Sequence, residues 1–206
     1  MLQAGRADDA IPLLQGRYYA SPVEDDVLQS LASAQELNGQ PCEALVSWQM
    51  LYWSAPKLRG VADQAVARLD GANDCPGVRL REETTLQQKG ENGYWTFPVG
   101  FSGHDPVWLG LSSDAPLTYL SAAAFEGTTG ATLVAEGVQM RAPREVLVGD
   151  LYRLDQLELG GVAFSHVDVL VVPTVSRGVD GFLGLNVVSR MTMSEKREAL
   201  WVMQPH

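Results

Sequence analysis

The sequence predicts a two-part chain, an α-helical first third followed by a mainly β remainder. Three observations predict it. Up to residue 74 the apolar residues recur at helical spacing with almost no β-branched clustering. Asp70-Gly71-Ala72-Asn73-Asp74-Cys75-Pro76-Gly77 then gathers helix-stopping and turn-forming residues in one place. Beyond it, short β-rich runs alternate with glycines and prolines. The expected domains are therefore residues 1–74, helical, and residues 75–206, β.

Composition bounds the function. With 206 residues, 46% of them hydrophobic and 19% charged, the chain has material for a sizeable core. A formal net charge of −10 repels phosphate backbones and anionic head groups, which argues against nucleic-acid and membrane-surface partners. No apolar run reaches the roughly 18 residues of a spanning helix, and no basic-then-apolar leader opens the chain. Cys42 and Cys75 share no metal-ligand spacing with the three histidines, so neither a metal nor a cofactor is expected. The two cysteines are read as free thiols, with a disulfide as the alternative in an oxidising compartment.

In the helical part, Ile11-Pro12-Leu13-Leu14, then Val27-Leu28 with Leu31-Ala32, then Ala44-Leu45 with Trp48 and Leu51-Tyr52 trace amphipathic faces. Gly5, Ala10 and Pro22 recur as Gly39, Ala44 and Pro56, each at an offset of 34 residues. The glycine lets a turn fold tightly, the alanine lets two helices touch, and the proline ends the second helix. These residues resemble a tetratricopeptide repeat (TPR). Asp25 to Leu58 is similar to one whole repeat, with Leu28, Leu31, Ala32, Gly39, Ala44, Trp48, Leu51 and Pro56 at the marked positions and Gln35 where an aromatic is usual. Residues 1–22 match the later part of a preceding repeat and 59–71 a following helix, so the array is expected to be truncated at its front. The resemblance implies a solenoid whose inner face, with Asp26, Gln29, Ser33 and Glu36, offers a peptide-binding groove.

The β-rich runs are Val78 to Leu80, Tyr94 to Phe97, Val107 to Leu111, Leu117 to Leu120, Thr132 to Ala135, Val146 to Val148, Leu154 to Leu159, Val167 to Val172 and Leu200 to Met203. They suit a small barrel or sandwich, with Trp95, Trp108 and Trp201 in its core and Trp48 and Trp53 packed among the helices. The stretch Val179 to Met191 stands out. An apolar pair before Gly184, a glycine at 181 and an apolar run closing on Arg190 predict a buried strand against a short helix, where only glycine admits another backbone so closely.

The order of these stretches resembles the retropepsin-like aspartic proteases, in particular bacterial ones. It runs from Val107 to Ser121, through Leu157-Glu158-Leu159-Gly160-Gly161 and Val167-Asp168-Val169-Leu170-Val171-Val172, to Asp180-Gly181-Phe182-Leu183-Gly184-Leu185-Asn186. The resemblance covers roughly residues 95 to 206 and implies an acid-protease barrel. In that family each of two subunits supplies an Asp-Thr-Gly-Ala loop, and the paired carboxylates share one proton about a water. Ser112-Ser113-Asp114-Ala115 falls over that loop. A serine hydroxyl stays protonated and cannot act as that base, so no catalytic residue is expected and Asp114 is the fallback. A second placement, Thr128-Thr129-Gly130-Ala131, also lacks the aspartate. His104-Asp105 and His166 with Asp168 are weaker pairs without a recognisable nucleophile.

The expected function is a non-catalytic protein- or peptide-binding scaffold, a pseudoprotease. The competing class is an aspartic endopeptidase using a displaced carboxylate such as Asp114. The resemblance implies a homodimer closed by terminal strands such as Leu200 to Met203, against which two Asp114 carboxylates would repel each other. It also implies the bacterial periplasm or cell envelope, with the cytoplasm as the alternative.

Overall fold

Four helices open the computed structural model, which describes residues 7–91, 94–143, 145–175, 178–197 and 200–205. They are α1 (Ala7–Ala20), α2 (Asp25–Leu37), α3 (Pro41–Ser54) and α4 (Arg59–Ala72), with a 3-10 turn at Pro56–Leu58. Acidic pairs Asp8 and Asp9 in α1, and Asp25 and Asp26 in α2, sit in the first turns, against the positive helix ends. Pro41 opens α3, where its missing N–H costs nothing. Gly39, at φ 70°, makes the tight reversal between α2 and α3.

These helices are not the solenoid that the 34-residue offset implied. Tyr19, Leu28, Leu31 and Met50 share one core cluster with Leu117, Tyr119, Met140 and Phe182 of the β part. The offset reports helix–turn–helix geometry, which any pair of hairpins needs. The apolar faces that would have closed on further repeats close on the sheet instead. Gly5, the first residue of the repeat comparison, lies outside the described residues.

The β part has thirteen described strands: β1 (Thr84–Gln87), β2 (Lys89–Glu91), β3 (Tyr94–Phe101), β4 (His104–Leu111), β5 (Thr118–Ser121), β6 (Ala131–Arg141), β7 (Val146–Leu154), β8 (Leu157–Leu159), β9 (Val162–Phe164), β10 (Val167–Val172), β11 (Gly181–Leu183), β12 (Thr192–Arg197) and β13 (Leu200–Gln204). Two short helices, α5 (Ala122–Phe125) and α6 (Leu185–Val188), interrupt them. The expected single barrel is also corrected. Among the described residues, one ten-stranded sheet runs β6-β7-β10-β5-β11-β4-β3-β8-β9 with β2 beside β3, and a separate three-stranded sheet runs β1-β13-β12.

At the centre, β11 lies between β4 and β5, parallel to the first and antiparallel to the second. On the β5 side, β5 and β10 are buried on both faces, which is why β10 reads as a nearly continuous apolar run. Trp201 is buried, but Trp95 is 54% exposed and Trp53 sits at the surface, against expectation. Trp95 lies against Trp201 at the surface side, with ring centroids 4.8 Å apart and planes tilted by 55°. Cys42 and Cys75, read as free thiols, form a disulfide. It ties the start of α3 to the turn after α4, an apposition that sequence spacing does not contain.

Candidate binding cleft

The stretch around Gly184 forms a rigid frame. A Cβ on Gly184 would stand 2.1 Å from the Leu117 carbonyl carbon, and one on Gly181 would stand 2.1 Å from the Tyr119 oxygen. Both glycines are therefore demanded by close backbone approach. Beside them, Asn186 Oδ1 accepts hydrogen bonds from Thr118 N at 2.8 Å and Thr118 Oγ1 at 3.1 Å, while its Nδ2 donates to Asp168 O at 2.7 Å. Gly184 N donates to Thr118 Oγ1 at 3.1 Å. Arg190, fully buried, donates to the carbonyls of Asn186, Ser165 and His166 at 2.6, 2.5 and 2.7 Å. Burial pulls its guanidinium down to about 9, with Asp168 acting in the opposite direction, so it remains a cation at neutral pH.

This frame carries the loop from β4 to β5. Ser112 N donates to Leu183 O at 2.9 Å, and Leu185 N donates to Ala115 O at 2.8 Å. Ala115 is buried, Ser112 is half-buried, and Ser113 and Asp114 are exposed. The exposed residues line an open cleft of about 600 Å3 whose facing wall comes from the helices, with Val23, Asp25 and Trp53 on it. Tyr18 also lines it, and its buried hydroxyl has no hydrogen-bond partner among the described residues. Burial, reinforced by Asp25, holds that phenol well above its usual range, so it is a proton donor at every working pH.

Behind the cleft a polar clamp joins helix to sheet. Arg153 holds Asp168 in a bidentate pair, with Nε to Oδ1 at 2.8 Å and Nη2 to Oδ2 at 3.0 Å, and reaches Glu43 Oε1 at 3.2 Å. His166 Nδ1 lies 3.4 Å from the same Glu43 oxygen, and His166 is the one non-glycine residue with positive φ, 52°, among the described residues. At that distance the two groups are in contact without an aligned hydrogen bond. The His166 contact holds the Glu43 carboxyl below its usual range, with burial opposing and Arg153 helping. Burial and the nearby Asp168 push the Tyr19 phenol up. Sequence reasoning placed His166 with Asp168; the structure gives Asp168 to Arg153 and His166 to Glu43. Asp168 and Arg153 are direct partners across β10 and β7, a register that cannot be read from either strand alone.

The residues expected on a groove-facing helix surface are spread along α2. Asp26 is exposed, and its carbonyl accepts from Ser30 Oγ at 2.7 Å; Ser33 Oγ donates to Gln29 O at 2.9 Å. Glu36 is an internal brace, accepting from Trp48 Nε1 at 2.6 Å and pairing with Arg68 at 2.7 Å. Thr128-Thr129-Gly130-Ala131 sits in the turn from α5 to β6, where Thr129 N donates to Ser102 O at 2.8 Å. The side chain of His104 lies outside the described residues. Among the described residues no group of three or more His, Cys, Asp and Glu side chains is placed to hold a metal ion. No described helix is long and apolar enough to cross a membrane.

No family model matches the chain, and no curated protein matches it. Solved structures do match. Among them is a retropepsin-like aspartic protease from Rickettsia conorii, 11% identical, with 59% of this chain and 89% of that one covered and a TM-score of 0.42. An overlay that loose identifies neither a shared site nor a shared activity.

Proposed function

We propose that this chain is a non-catalytic binding protein. Residues 75–206 act as a degenerate retropepsin-like domain, residues 1–74 act as its helical cap, and the cleft between them takes a short peptide. One observation carries the reading: the wall opposite the Ser112–Ala115 loop is built from the chain's own helices, through Val23, Asp25 and Trp53. Those side chains, and not a second loop, face Ser113 and Asp114 across the cleft. Ser112 at the family's aspartate position supports the same conclusion, since a hydroxyl cannot take a proton from water at neutral pH.

The chemistry of the cleft sets the ligand class. Asp25 and Asp114 supply negative charge and Trp53 a partly exposed indole, a combination that suits a peptide carrying lysine or arginine. The Cys42–Cys75 disulfide favours an oxidising compartment, in keeping with a periplasmic or envelope protein. The test is a diverse peptide library read twice, by mass spectrometry for cleavage across the acid to neutral range and by affinity capture for binding. Capture of cationic peptides without cleavage, reduced in Asp114→Asn, is the expected result.

A second reading keeps Asp114 as a displaced catalytic carboxylate, favoured only by the presence of Asp25 in the same cleft. Cleavage in mild acid that disappears in Asp114→Ala would establish it and overturn the first.

A further inference from the structure

On the sheet side of the polar clamp, His166 is held at φ 52°, the left-handed region that a residue with a Cβ occupies only at a cost. Arg190 grips that segment by the carbonyls of Ser165 and His166, and Ser165 N donates to Gly77 O at 2.8 Å. The imidazole is thereby delivered to Glu43 of α3. Its Nδ1 is buried with no hydrogen-bond partner among the described residues, 3.4 Å from Glu43 Oε1. Only the imidazolium is a donor at both nitrogens and carries a charge opposite to that carboxylate, so the contact is better made by a charged ring than by a neutral one. The other charges nearby are directed elsewhere. Arg153 of β7 is paired bidentately with Asp168 of β10, although its Nη1 also reaches Glu43 Oε1 at 3.2 Å and opposes a second cation there. Arg190, beyond α6, points at backbone carbonyls, and Tyr18 and Tyr19 of α1 line the same interface as neutral phenols.

We propose that His166 is a pH-sensitive latch between the helices and the sheet: as the medium passes from neutral to mildly acidic, its imidazole takes up a proton, closes on Glu43 and draws α3 against the β part. Histidine is the side chain whose ordinary charge change falls between about pH 5 and 8. Glu43 stays ionised across that interval, because the His166 contact, helped by Arg153 and opposed by burial, holds its carboxyl below the ordinary 4.5. The attraction is therefore present at the acidic end and lost as the pH rises through the histidine range. The latch also spans the two walls of the peptide cleft, and in this respect it rests on the reading of that cleft given above. Glu43 lies in the first turn of α3, and Trp53 and Ser54, about 15 Å along the same helix, line the cleft. Across it, Asn186 and Arg190 hold both the His166 segment and the frame of the Ser112–Ala115 loop. The Cys42–Cys75 disulfide, one residue from Glu43, keeps the two partners neighbours in either charge state. The latch thus tightens a joint that the apolar core already makes.

The test compares the whole chain with His166→Asn, which tolerates the left-handed backbone but carries no charge, with Glu43→Gln, and with the double variant, at about pH 5.5 and about pH 8. Melting temperature and hydrogen exchange of the α3 amides are the readouts. At the acidic pH the unsubstituted chain is expected to melt about 2–4 °C above His166→Asn, with slower exchange in α3, and at the higher pH the two should coincide. In the Glu43→Gln background the His166→Asn substitution should change neither readout at either pH. The same difference between the chain and His166→Asn at both pH values, or a pH-dependent difference that persists in Glu43→Gln, would overturn the proposal. An oligo-arginine peptide serves as the cleft probe, expected to bind at least threefold tighter at the acidic pH in the unsubstituted chain and equally at both in His166→Asn. A peptide that binds at neither pH would count against the cleft and not against the latch, which melting and exchange decide.

Discussion

The frame around Gly184 and the loop it carries lie within a few residues of each other and obey different constraints. In the frame, Thr118, Gly184, Asn186 and Arg190 hydrogen-bond to one another or to backbone carbonyls in a buried interior. In the loop, Ser113 and Asp114 point into an open cleft with little beyond a weak mutual contact at 3.5 Å. Burial dictates residue identity in the first, because an unmet polar group or a misplaced methyl has nowhere to go. Solvent tolerates many residues in the second, so what stands there reflects what the cleft binds.

The sharpest way to break that contrast is Gly184→Ala. Its Cβ would overlap Leu117 backbone, so we expect a loss of about 3–5 kcal/mol or failure to fold, read by denaturant unfolding. Arg190→Met should be comparable, about 3–5 kcal/mol, since it strands one buried and two part-buried carbonyls at once. Replacing both Cys42 and Cys75 with serine should cost about 3–4 kcal/mol, the chain-entropy value for a closed loop with a separation of 33 residues. A melting temperature insensitive to reductant would contradict the disulfide.

Glu43 gives a smaller, pH-dependent effect. Its folded carboxyl is held below the ordinary value of 4.5, so its contribution is present above that value and lost as the pH falls through the lower folded one. Glu43→Gln should therefore flatten the acid limb of the stability curve and cost about 1 kcal/mol at neutral pH, the clamp being partly open to solvent. The smallest effect is expected in the loop itself. Asp114→Ala should change stability by less than about 0.5 kcal/mol while weakening capture of cationic peptides. A large stability loss there would erase the distinction between frame and loop.

Legibility in the sequence followed the same divide. The buried strand and short helix about Gly184 were readable, because an apolar pair, a glycine and a closing arginine leave few alternatives. Strands β1, β2, β9 and β12 were missed, and Val78 to Leu80, read as a β run, is turn and loop. β12, Thr192–Arg197, is almost wholly exposed, so it carries no apolar alternation to read. The helices were readable one by one, but their stacking was not. The same periodic face serves a repeat neighbour or a sheet, and Leu28 and Leu31 do not say which.

The candidate site divides likewise. Ser112 at the end of an apolar strand, and the absence of an Asp-Thr-Gly-Ala loop over it, came from residue order alone. The cleft wall of Val23, Asp25 and Trp53 did not, since about sixty residues or more separate it from Asp114.

By itself the sequence determined the local states of this protein: helix up to the turn cluster at 70–77, β structure beyond it, and the close-packed glycine turn at 181–184. Local propensity and periodicity act over a few residues, and so can be read from a few. Only the tertiary structure decided that the helices face the sheet, that Cys42 meets Cys75, that Asp168 pairs with Arg153, and that His166 comes to Glu43. Each of those depends on which distant surface removes an apolar face from water, and that choice is made by the whole chain at once.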